Sequence, residues 1–417
     1  MIRESGVETN GKSAMSVIET WSRQLEEFLE PFGHHFVRPE VKRTAFAYVR
    51  SLLSKTDRKN SWQLAEAGGF DRPDKFQRLL YKARWDECAF NNDLSSLIAQ
   101  TFNHPQGVLI LDETGFIKQG KKSAGVARQY SGTAGKIENC QIGVFLAYDS
   151  PKGHPLLDRR LYLPQEWCED RQRRESAKIP NDIQFKTKVE LAIDMLEQAV
   201  ANGVEAAWLT GDEVYGNASE LRQKSSELDL NYVLAVSKTT RVWLERPRVE
   251  KPGRYHTRGV TRKSARVSSD SPKPKRVEEV VANWDGRRWR KFAAREGAKG
   301  PITYEWGRLR VTEKHGTRLN DGLPGEDVWL LARRSCEDPK ELAYYLCLCP
   351  RSTALKTLAK IATSRSRIEQ CFKEAKGEVG LDEYEVRFWH SWYRHMTLCM
   401  TAYAWLNKLR KDNRKKI

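Results

Sequence analysis

The sequence lacks any apolar run long enough to cross a bilayer, and its first residues, MIRESGVETNGKSAMS, lack the apolar core of a signal peptide. Its eight cysteines form no CxxC pair, and none is spaced with histidine as zinc ligands are. These absences argue against a membrane protein and a disulfide-rich secreted protein. Reduced thiols in a cytoplasmic protein are the simplest interpretation.

Positive charge, in contrast, is abundant. The 417 residues include 72 Lys and Arg against 55 Asp and Glu, so the formal net charge is +17. The length allows two or three domains, and the 39% hydrophobic content is typical of a globular protein. Such a basic chain usually has a polyanionic partner, most often nucleic acid, although a solvated basic surface is the alternative.

Residues 1–104 show the apolar spacing of helices. Within them, SWQLAEAGGFDRPDKFQRLLYKARW predicts two short helices around a Gly-Gly turn. We expect Ser61 to cap the first helix and Asp71 to cap the second, with Pro73 in its first turn. This region is predicted to be an all-helical domain.

The second of these helices carries a basic stripe. Lys75, Arg78 and Lys82 are spaced three and four residues apart, on a different side from its apolar residues. Two short helices with such a stripe suit a helix-turn-helix contact with double-stranded DNA. The alternative is an ordinary surface helix, because three basic residues are common on one.

Residues 105–237 predict an α/β fold with a mixed sheet. Helical patterns at 185–201 and from about 218 are interspersed with five strand candidates: GVLILDET, IENCQIGVFLAYD, HPLLDRRLYLP near an edge, AAWLTGDEVYG and NYVLAVS.

Residues 238–350 break this pattern and predict a β-rich insertion. A basic stretch rich in Pro and Ser, RPRVEKPGRYHTRGVTRKSARVSSDSPKPKRV, is typical of a mobile loop. Three following segments alternate like strands, with NWDGRRW as a hairpin: VVANWDGRRWRKFAAR, TYEWGRLRVTEK and DVWLLARRS. Residues 351–417 return to helix, with a break at Gly380 and a basic tail.

Two aspartates occupy matching positions after apolar strands. Asp112 follows VLIL and Asp212 follows AAWLTG, and the next residue is Glu in both cases. A carboxylate at the end of a buried strand is costly unless it is paired or binds a metal. Two such strands side by side would bring both carboxylates together, where Mg²⁺ suits them best because it prefers oxygen ligands. The alternative is that each Asp caps the turn that follows it.

A third carboxylate is expected from a helix, and SRSRIEQCFKEAKGEVG supplies a candidate. Arg365, Glu369 and Lys376 stand at i, i+4 and i+11, which places them within roughly 40° of one another on a helix. The opposite side is apolar. The alternative here is a surface salt-bridge ladder in which Arg365 pairs with Glu369.

Together these residues resemble the DDE transposases of bacterial insertion sequences. The similarity is greatest to the cut-and-paste branch with the signature Y-x2-R-x3-E-x6-K, in which Arg365, Glu369 and Lys376 match and Ala362 replaces the Tyr. The resemblance implies an RNase H-like catalytic core over 105–237 and 351–417, interrupted by the insertion.

The resemblance further implies roles for these side chains. Asp112, Asp212 and Glu369 would be catalytic and would hold two Mg²⁺ ions, with Mn²⁺ as a substitute. Arg365 and Lys376 would bind DNA phosphates. Glu113 and Glu213 are second choices as metal ligands or as groups that support the ligands.

Several aromatic residues leave two interpretations open. Tryptophans of the insertion could stack on an unpaired base or form the core of a hairpin; they are Trp243, Trp284, Trp289 and Trp306. The segment WHSWYR, residues 389–394, could flank DNA or pack under the catalytic helix.

The function implied is a DNA transposase that binds terminal inverted repeats, cuts phosphodiester bonds and joins the 3′-OH ends to target DNA. Two alternatives share these features: a non-catalytic DNA-binding protein derived from a transposase, and a metal-dependent nuclease without strand transfer. The expected partners are double-stranded DNA and a second copy of the chain, without a membrane. The expected location is the bacterial cytoplasm, at the nucleoid.

Overall fold

The computed structural model describes residues 19–132, 134–254, 261–262, 264–297, 300–316 and 322–414. The α-helices are α1 (19–29), α2 (Pro39–Leu52), α3 (Ser61–Ala67), α4 (Asp74–Tyr81), α5 (Glu87–Phe102), α6 (Gln165–Glu169), α7 (Arg171–Ser176), α8 (Lys188–Ala201), α9 (Glu213–Gly216), α10 (Ser219–Glu227), α11 (Val277–Ala282), α12 (Leu355–Ser364), α13 (Ser366–Val379) and α14 (Trp389–Arg414). Short 3₁₀ helices span Glu30–His35 and Gly286–Arg288.

The strands are β1 (Val108–Ile117), β2 (Ala127–Ser131), β3 (Lys136–Asp149), β4 (Leu156–Leu161), β5 (Trp208–Gly211), β6 (Asn231–Val236), β7 (Arg241–Trp243), β8 (Val249–Glu250), β9 (Gly253–Arg254), β10 (Thr261–Arg262), β11 (Arg266–Val267), β12 (Lys275–Arg276), β13 (Arg290–Gly297), β14 (Gly300–Lys314), β15 (Pro324–Ser335) and β16 (Leu342–Leu348). All five strand candidates of 105–237 are present, and among the described strands β4 pairs with β3 alone.

Twelve of the described strands form one mixed sheet, in the order β12-β7-β14-β15-β16-β6-β5-β1-β3-β2, with β13 paired to β14 and β4 to β3. At its centre, β1 runs parallel to β5, and β5 runs parallel to β6. β3 runs antiparallel to β1. This confirms the predicted mixed α/β fold and is consistent with an RNase H-like core.

The two short helices before the sheet form as expected, around a turn in which Gly69 has a φ of +74° that favours glycine. Their predicted caps are wrong. Asn60 caps α3, because its side-chain oxygen accepts hydrogen bonds from two backbone N–H groups of the first turn, each at 3.0 Å. α4 begins at Asp74 after Pro73, so Asp71 lies outside it, and Lys82 is its C-terminal cap residue.

The β-rich segment joins the same large sheet through β14, β15 and β16. The predicted NWDGRRW hairpin is wrong. The two valines before it belong to α11, and the side chain of Asp285 accepts a hydrogen bond from the N–H of Arg287, which caps a 3₁₀ turn. β13 instead pairs antiparallel with β14, in a register that runs from Arg290 opposite Trp306 to Gly297 opposite Gly300.

In the basic stretch predicted to be a loop, the described residues form short two-residue strands, including β8 paired with β11. Residues 255–260 and 263 of this stretch lie outside the described residues.

α14 packs against α2, α4, α5 and β4, so the N-terminal helices share one hydrophobic core with the C-terminal helix. Its first turns contain the WHSWYR segment, whose large aromatic side chains are buried. Arg394 of this segment donates to the backbone carbonyls of Leu80 and Trp85. The burial of these side chains supports the interpretation that the segment packs inside the protein. In the part of the chain described here, no helix is both long and apolar enough to span a membrane.

The tryptophans of the β-rich segment also pack inward. Trp243, Trp289 and Trp306 are buried, and Trp284 is partly buried with its ring centroid 5.4 Å from that of Trp289. The core interpretation therefore fits three of the four side chains better than base stacking does, because a stacking platform must be accessible.

Candidate active site

The parallel register of β1 and β5 places two aspartates side by side. Leu111 pairs with Gly211 as the last partners of this ladder, so Asp112 and Asp212 are the next residues on adjacent strands. The expectation that each Asp ends its strand holds for Asp212 only. β1 continues through Asp112 to Ile117, because its other edge remains paired with β3.

Both aspartates use one oxygen to accept a local backbone hydrogen bond. Oδ1 of Asp112 accepts from the N–H of Glu113 at 2.8 Å. Oδ1 of Asp212 accepts from the N–H of Val214 at 2.9 Å and caps α9. The capping interpretation therefore describes part of what Asp212 does, and Oδ2 of each residue takes no part in these bonds.

The helix expected to supply the third carboxylate lies against β1. The guanidinium of Arg365, at the junction of α12 and α13, lies between two acidic groups. Nη1 is 3.4 Å from Oδ2 of Asp112, and Nη2 is 3.4 Å from Oε1 of Glu369. The side chain of Glu369 is 59% exposed, whereas that of Asp112 is 15% exposed. One cation thus links the inner and outer carboxylates.

Lys376 reaches the same face of β1 farther along the strand. Its Nζ donates a hydrogen bond to Oγ1 of Thr114 at 2.9 Å and lies 5.6 Å from the centre of the Phe116 ring. Because side chains alternate along a strand, Asp112, Thr114 and Phe116 share one face. α13 therefore lies along this face, with Arg365 near one end and Lys376 near the other.

Burial and neighbouring charge perturb the acidic groups. Burial is the main cause that raises the pKa of Asp112 from 3.8 to about 7; the Asp212 and Glu113 carboxylates raise it further, and Arg365 opposes them. Burial, and then the charge of Glu113, raise the pKa of Asp212. Both carboxyl groups would be stabilised as anions by a cation held between them.

Glu113 is fixed by two partners that sequence reasoning missed. Nζ of Lys188 lies 2.5 Å from its Oε1, and the hydroxyl of the buried Tyr215 donates to its Oε2 at 3.0 Å. The Lys188 contact spans 75 positions of sequence, and no local pattern predicts it. Tyr215 lies only three residues after Asp212, and this nearness in sequence is the signal that could have identified it. Glu213, the other second-choice ligand, is exposed.

The three proposed ligands do not converge on one point. Among the described residues, the oxygens of Asp112, Asp212 and Glu369 do not all lie within 4.8 Å of one another. The guanidinium of Arg365 occupies the space between Asp112 and Glu369. The donors still suit a hard divalent cation, because all three are carboxylates and Asp112 and Asp212 have raised pKa values that a cation would lower.

The basic stripe lies elsewhere on the chain. Lys75 and Arg78 are exposed on α4, and Lys82 is exposed just after it. Nζ of Lys75 lies 4.7 Å from the centre of the Phe70 ring. Among the described residues, no hydrogen bond or ion pair joins this stripe to the carboxylates.

A mixed sheet with two aspartates on adjacent strands and a helix carrying Arg, Glu and Lys agrees with a class of metal-dependent endonucleases. The family model for the DDE superfamily endonucleases matches residues 31–301, and the chain belongs to that family. The matched region contains Asp112 and Asp212 and ends before α12, so Glu369 lies outside it.

The chain is also similar to a protein named "Probable transposase for insertion sequence element IS701" from Microchaete diplosiphon. The two are 27% identical over 206 residues, which are 48% of this chain and 50% of that protein. The chain thus spans about half the length of the relative it matches.

Proposed function

We propose that this chain is a DNA transposase that binds the terminal inverted repeats of an insertion sequence, cuts at its ends and joins the 3′-OH ends to target DNA. Membership of the DDE endonuclease family supports the nuclease chemistry. The observation that carries the proposal is the β1–β5 register, which sets Asp112 beside Asp212 at one end of a parallel ladder.

Asp112, Asp212 and Glu369 would hold two Mg²⁺ ions, which when bound stabilise charge on the attacking and leaving oxygens. In the first step, the oxygen of a water molecule bonds to phosphorus and the bond from phosphorus to the 3′ oxygen breaks, leaving a 3′-OH and a 5′-phosphate. In the second step, that 3′-OH attacks a target phosphodiester and releases a target 3′ oxygen, which is then protonated. Neither step needs an oxidant or a nucleotide cofactor.

The cations beside the carboxylates would position the substrate. Arg365 and Lys376 flank the Asp112 face of β1 at opposite ends of α13, which suits two contacts with one DNA backbone. Arg365 can bind a phosphate through two N–H groups, whereas Lys376 acts as a point charge. Lys75, Arg78 and Lys82 would contact DNA farther from the cut, and two copies of the chain would bring the two ends together.

The test is incubation of the purified chain with Mg²⁺ and a short DNA element that carries both native flanks, followed by sequencing of the products. We expect cuts at the element ends and joined products in target DNA. Cuts without joined products would show that the chain is a nuclease without strand transfer. Binding without cuts would show that it is a non-catalytic DNA-binding protein. Asp182→Asn, which alters an exposed aspartate outside the site, provides the control preparation.

A further inference from the structure

Two histidines and an aspartate meet between the 3₁₀ helix Glu30–His35 and α5, outside the candidate active site. Nε2 of His34 and Nε2 of His35 lie 3.2 Å and 2.9 Å from the same oxygen, Oδ2 of Asp93. These three atoms all lie within 4.8 Å of one another, and no other such group of three or more His, Cys, Asp or Glu side chains occurs among the described residues. The centroids of the two imidazole rings are 4.0 Å apart, and the ring planes are tilted by 38°.

The protonation state of His34 makes this arrangement unusual. Its Nδ1 lies 2.8 Å from the carbonyl oxygen of Pro31, which can only accept, so Nδ1 carries the proton. In a neutral ring, Nε2 is then a bare lone pair that faces a carboxylate oxygen. Those two lone pairs repel unless the ring gains a second proton, at Nε2, or a cation lies between them.

The cluster is partly shielded from water, which makes unmatched polar groups in it costly. The side chain of His35 is only 8% exposed. A divalent cation held by all three groups would satisfy both histidine nitrogens and the carboxylate oxygen at once.

We propose that His34, His35 and Asp93 bind a zinc-like divalent cation. Tetrahedral Zn²⁺ holds histidine nitrogen and carboxylate oxygen at about 2.0–2.2 Å, which separates neighbouring ligand atoms by about 3.3 Å. The 3.2 Å and 2.9 Å contacts are close to that spacing. The bond from Nδ1 of His34 to a backbone carbonyl is the support that metal-bound histidines usually have.

The ligand set also selects the type of metal. Imidazole nitrogen suits zinc, cobalt and nickel, whereas Mg²⁺ prefers oxygen ligands and retains its water. The site is therefore chemically distinct from the carboxylates of the candidate active site. It is open to solvent, because the side chains of His34 and Asp93 are 64% and 47% exposed. A bound ion would fasten the 3₁₀ helix to α5, whose end leads into β1.

The experiment uses the full-length chain stripped of metal and titrated with Co²⁺ in excess Mg²⁺. Tetrahedral Co²⁺ with nitrogen ligands absorbs strongly in the visible range, whereas Co²⁺ held by carboxylates and water absorbs weakly. We expect one strongly absorbing Co²⁺ per chain, displaced by Zn²⁺. His34→Gln and Asp93→Asn should abolish the band. His104→Gln, at a histidine outside the cluster, and Asp112→Asn should retain it.

Thermal unfolding supplies an independent measurement. Zn²⁺ should raise the Tm of the wild-type chain and of His104→Gln by several degrees, and it should leave Asp93→Asn unchanged. Circular dichroism establishes that each variant is folded, and Asp93→Asn keeps the side-chain shape if His34→Gln does not fold. A cobalt band that survives Asp93→Asn, or the lack of a band in the wild-type chain, would overturn the proposal.

Discussion

Nη1 of Arg365 lies 3.4 Å from Oδ2 of Asp112, across 253 positions of sequence. The same guanidinium reaches Glu369, so its charge is shared between a buried and an exposed carboxylate. It opposes the rise in the pKa of Asp112 that burial causes. Arg365 therefore has two connected roles: it reduces repulsion among the acidic groups, and it presents a cation where the proposed DNA phosphate would lie.

Replacement of Arg365 by Ala should weaken the cleavage complex and reduce its dependence on salt. If one phosphate contact is lost, the slope of log K against log salt should fall by about 0.9. Lys376→Ala should have a similar effect. The matched control is Arg367→Ala, two residues away, because Arg367 pairs with Asp149 instead. Binding titrations at several salt concentrations measure the slope. Equal slopes in the wild-type chain and in Arg365→Ala would show that Arg365 does not contact a phosphate.

Loss of any proposed metal ligand should abolish cutting while DNA binding survives. Asp112→Asn, Asp212→Asn and Glu369→Gln preserve side-chain shape and remove one negative charge each, so we expect cleavage to fall by about 10²-fold or more. Mg²⁺-dependent cleavage of an end-containing DNA and gel shifts measure the two properties separately. Asp182→Asn should cut normally. A ligand variant that cuts at the wild-type rate would show that its residue is misassigned.

The raised pKa of Asp112 makes the stability of the metal-free chain depend on pH. Between 3.8 and about 7, the folded chain retains a proton on Asp112 that the unfolded chain has released. The contribution of Asp112 to the free energy of unfolding therefore falls as pH rises through this interval and is constant above it. Asp112→Asn removes that dependence. From pH 5 to pH 8 its stability should rise relative to wild type by up to about 2–3 kcal/mol.

Denaturant unfolding in the presence of a chelator, at both pH values, measures this difference. Asp182→Asn controls for the loss of one carboxylate, because its side chain is exposed. Asp212 also has a raised pKa and is present in both chains, so it enters the difference only through its interaction with Asp112. A stability difference between Asp112→Asn and wild type that is the same at pH 5 and pH 8 would contradict the shift.

The sequence predicted the central strands well because each one is a short apolar run with a clear boundary. VLIL and AAWLTG could be placed side by side since both precede an acidic residue, and the parallel register confirms that pairing. The break at Gly380 was also predictable, because glycine often ends a helix. The structure confirms it with a φ of +64° at this residue. The local sequence was sufficient to predict those strands and helix ends that depend on neighbouring residues alone.

Contacts between distant segments could not be predicted in this way. Apolar periodicity cannot distinguish α11 from a strand, and the side-chain cap of Asp285 converted the expected hairpin into a 3₁₀ turn. The partners of Glu113 were equally hidden, because Lys188 approaches it from a separate helix. The aromatic residues at the start of α14 are buried by the N-terminal helices, which are distant in sequence. The local sequence therefore could not distinguish them from a surface motif.

Glu113→Gln distinguishes a supporting residue from a metal ligand. Its carboxylate is held by Lys188 and Tyr215, so the amide should weaken both contacts and lower the free energy of unfolding by about 1–3 kcal/mol. We expect cleavage to fall less than in Asp112→Asn. Urea unfolding and cleavage rates give the two effects, with Glu213→Gln as the exposed neighbouring control. Loss of cleavage equal to that of Asp112→Asn would make Glu113 a ligand.

Replacement of Lys75, Arg78 and Lys82 by Gln should impair recognition of the element ends before any chemistry occurs. The three side chains are exposed, so their loss should not disturb the core. If each contacts one phosphate, the salt slope of binding should fall by about 2.7 in total. The control is a chain with Arg171, Lys291 and Lys340 replaced by Gln, which loses the same charge from exposed positions elsewhere. Gel shifts on end-containing and unrelated DNA compare the two variants; if both bind the ends equally well, the residues that recognise the ends lie outside α4.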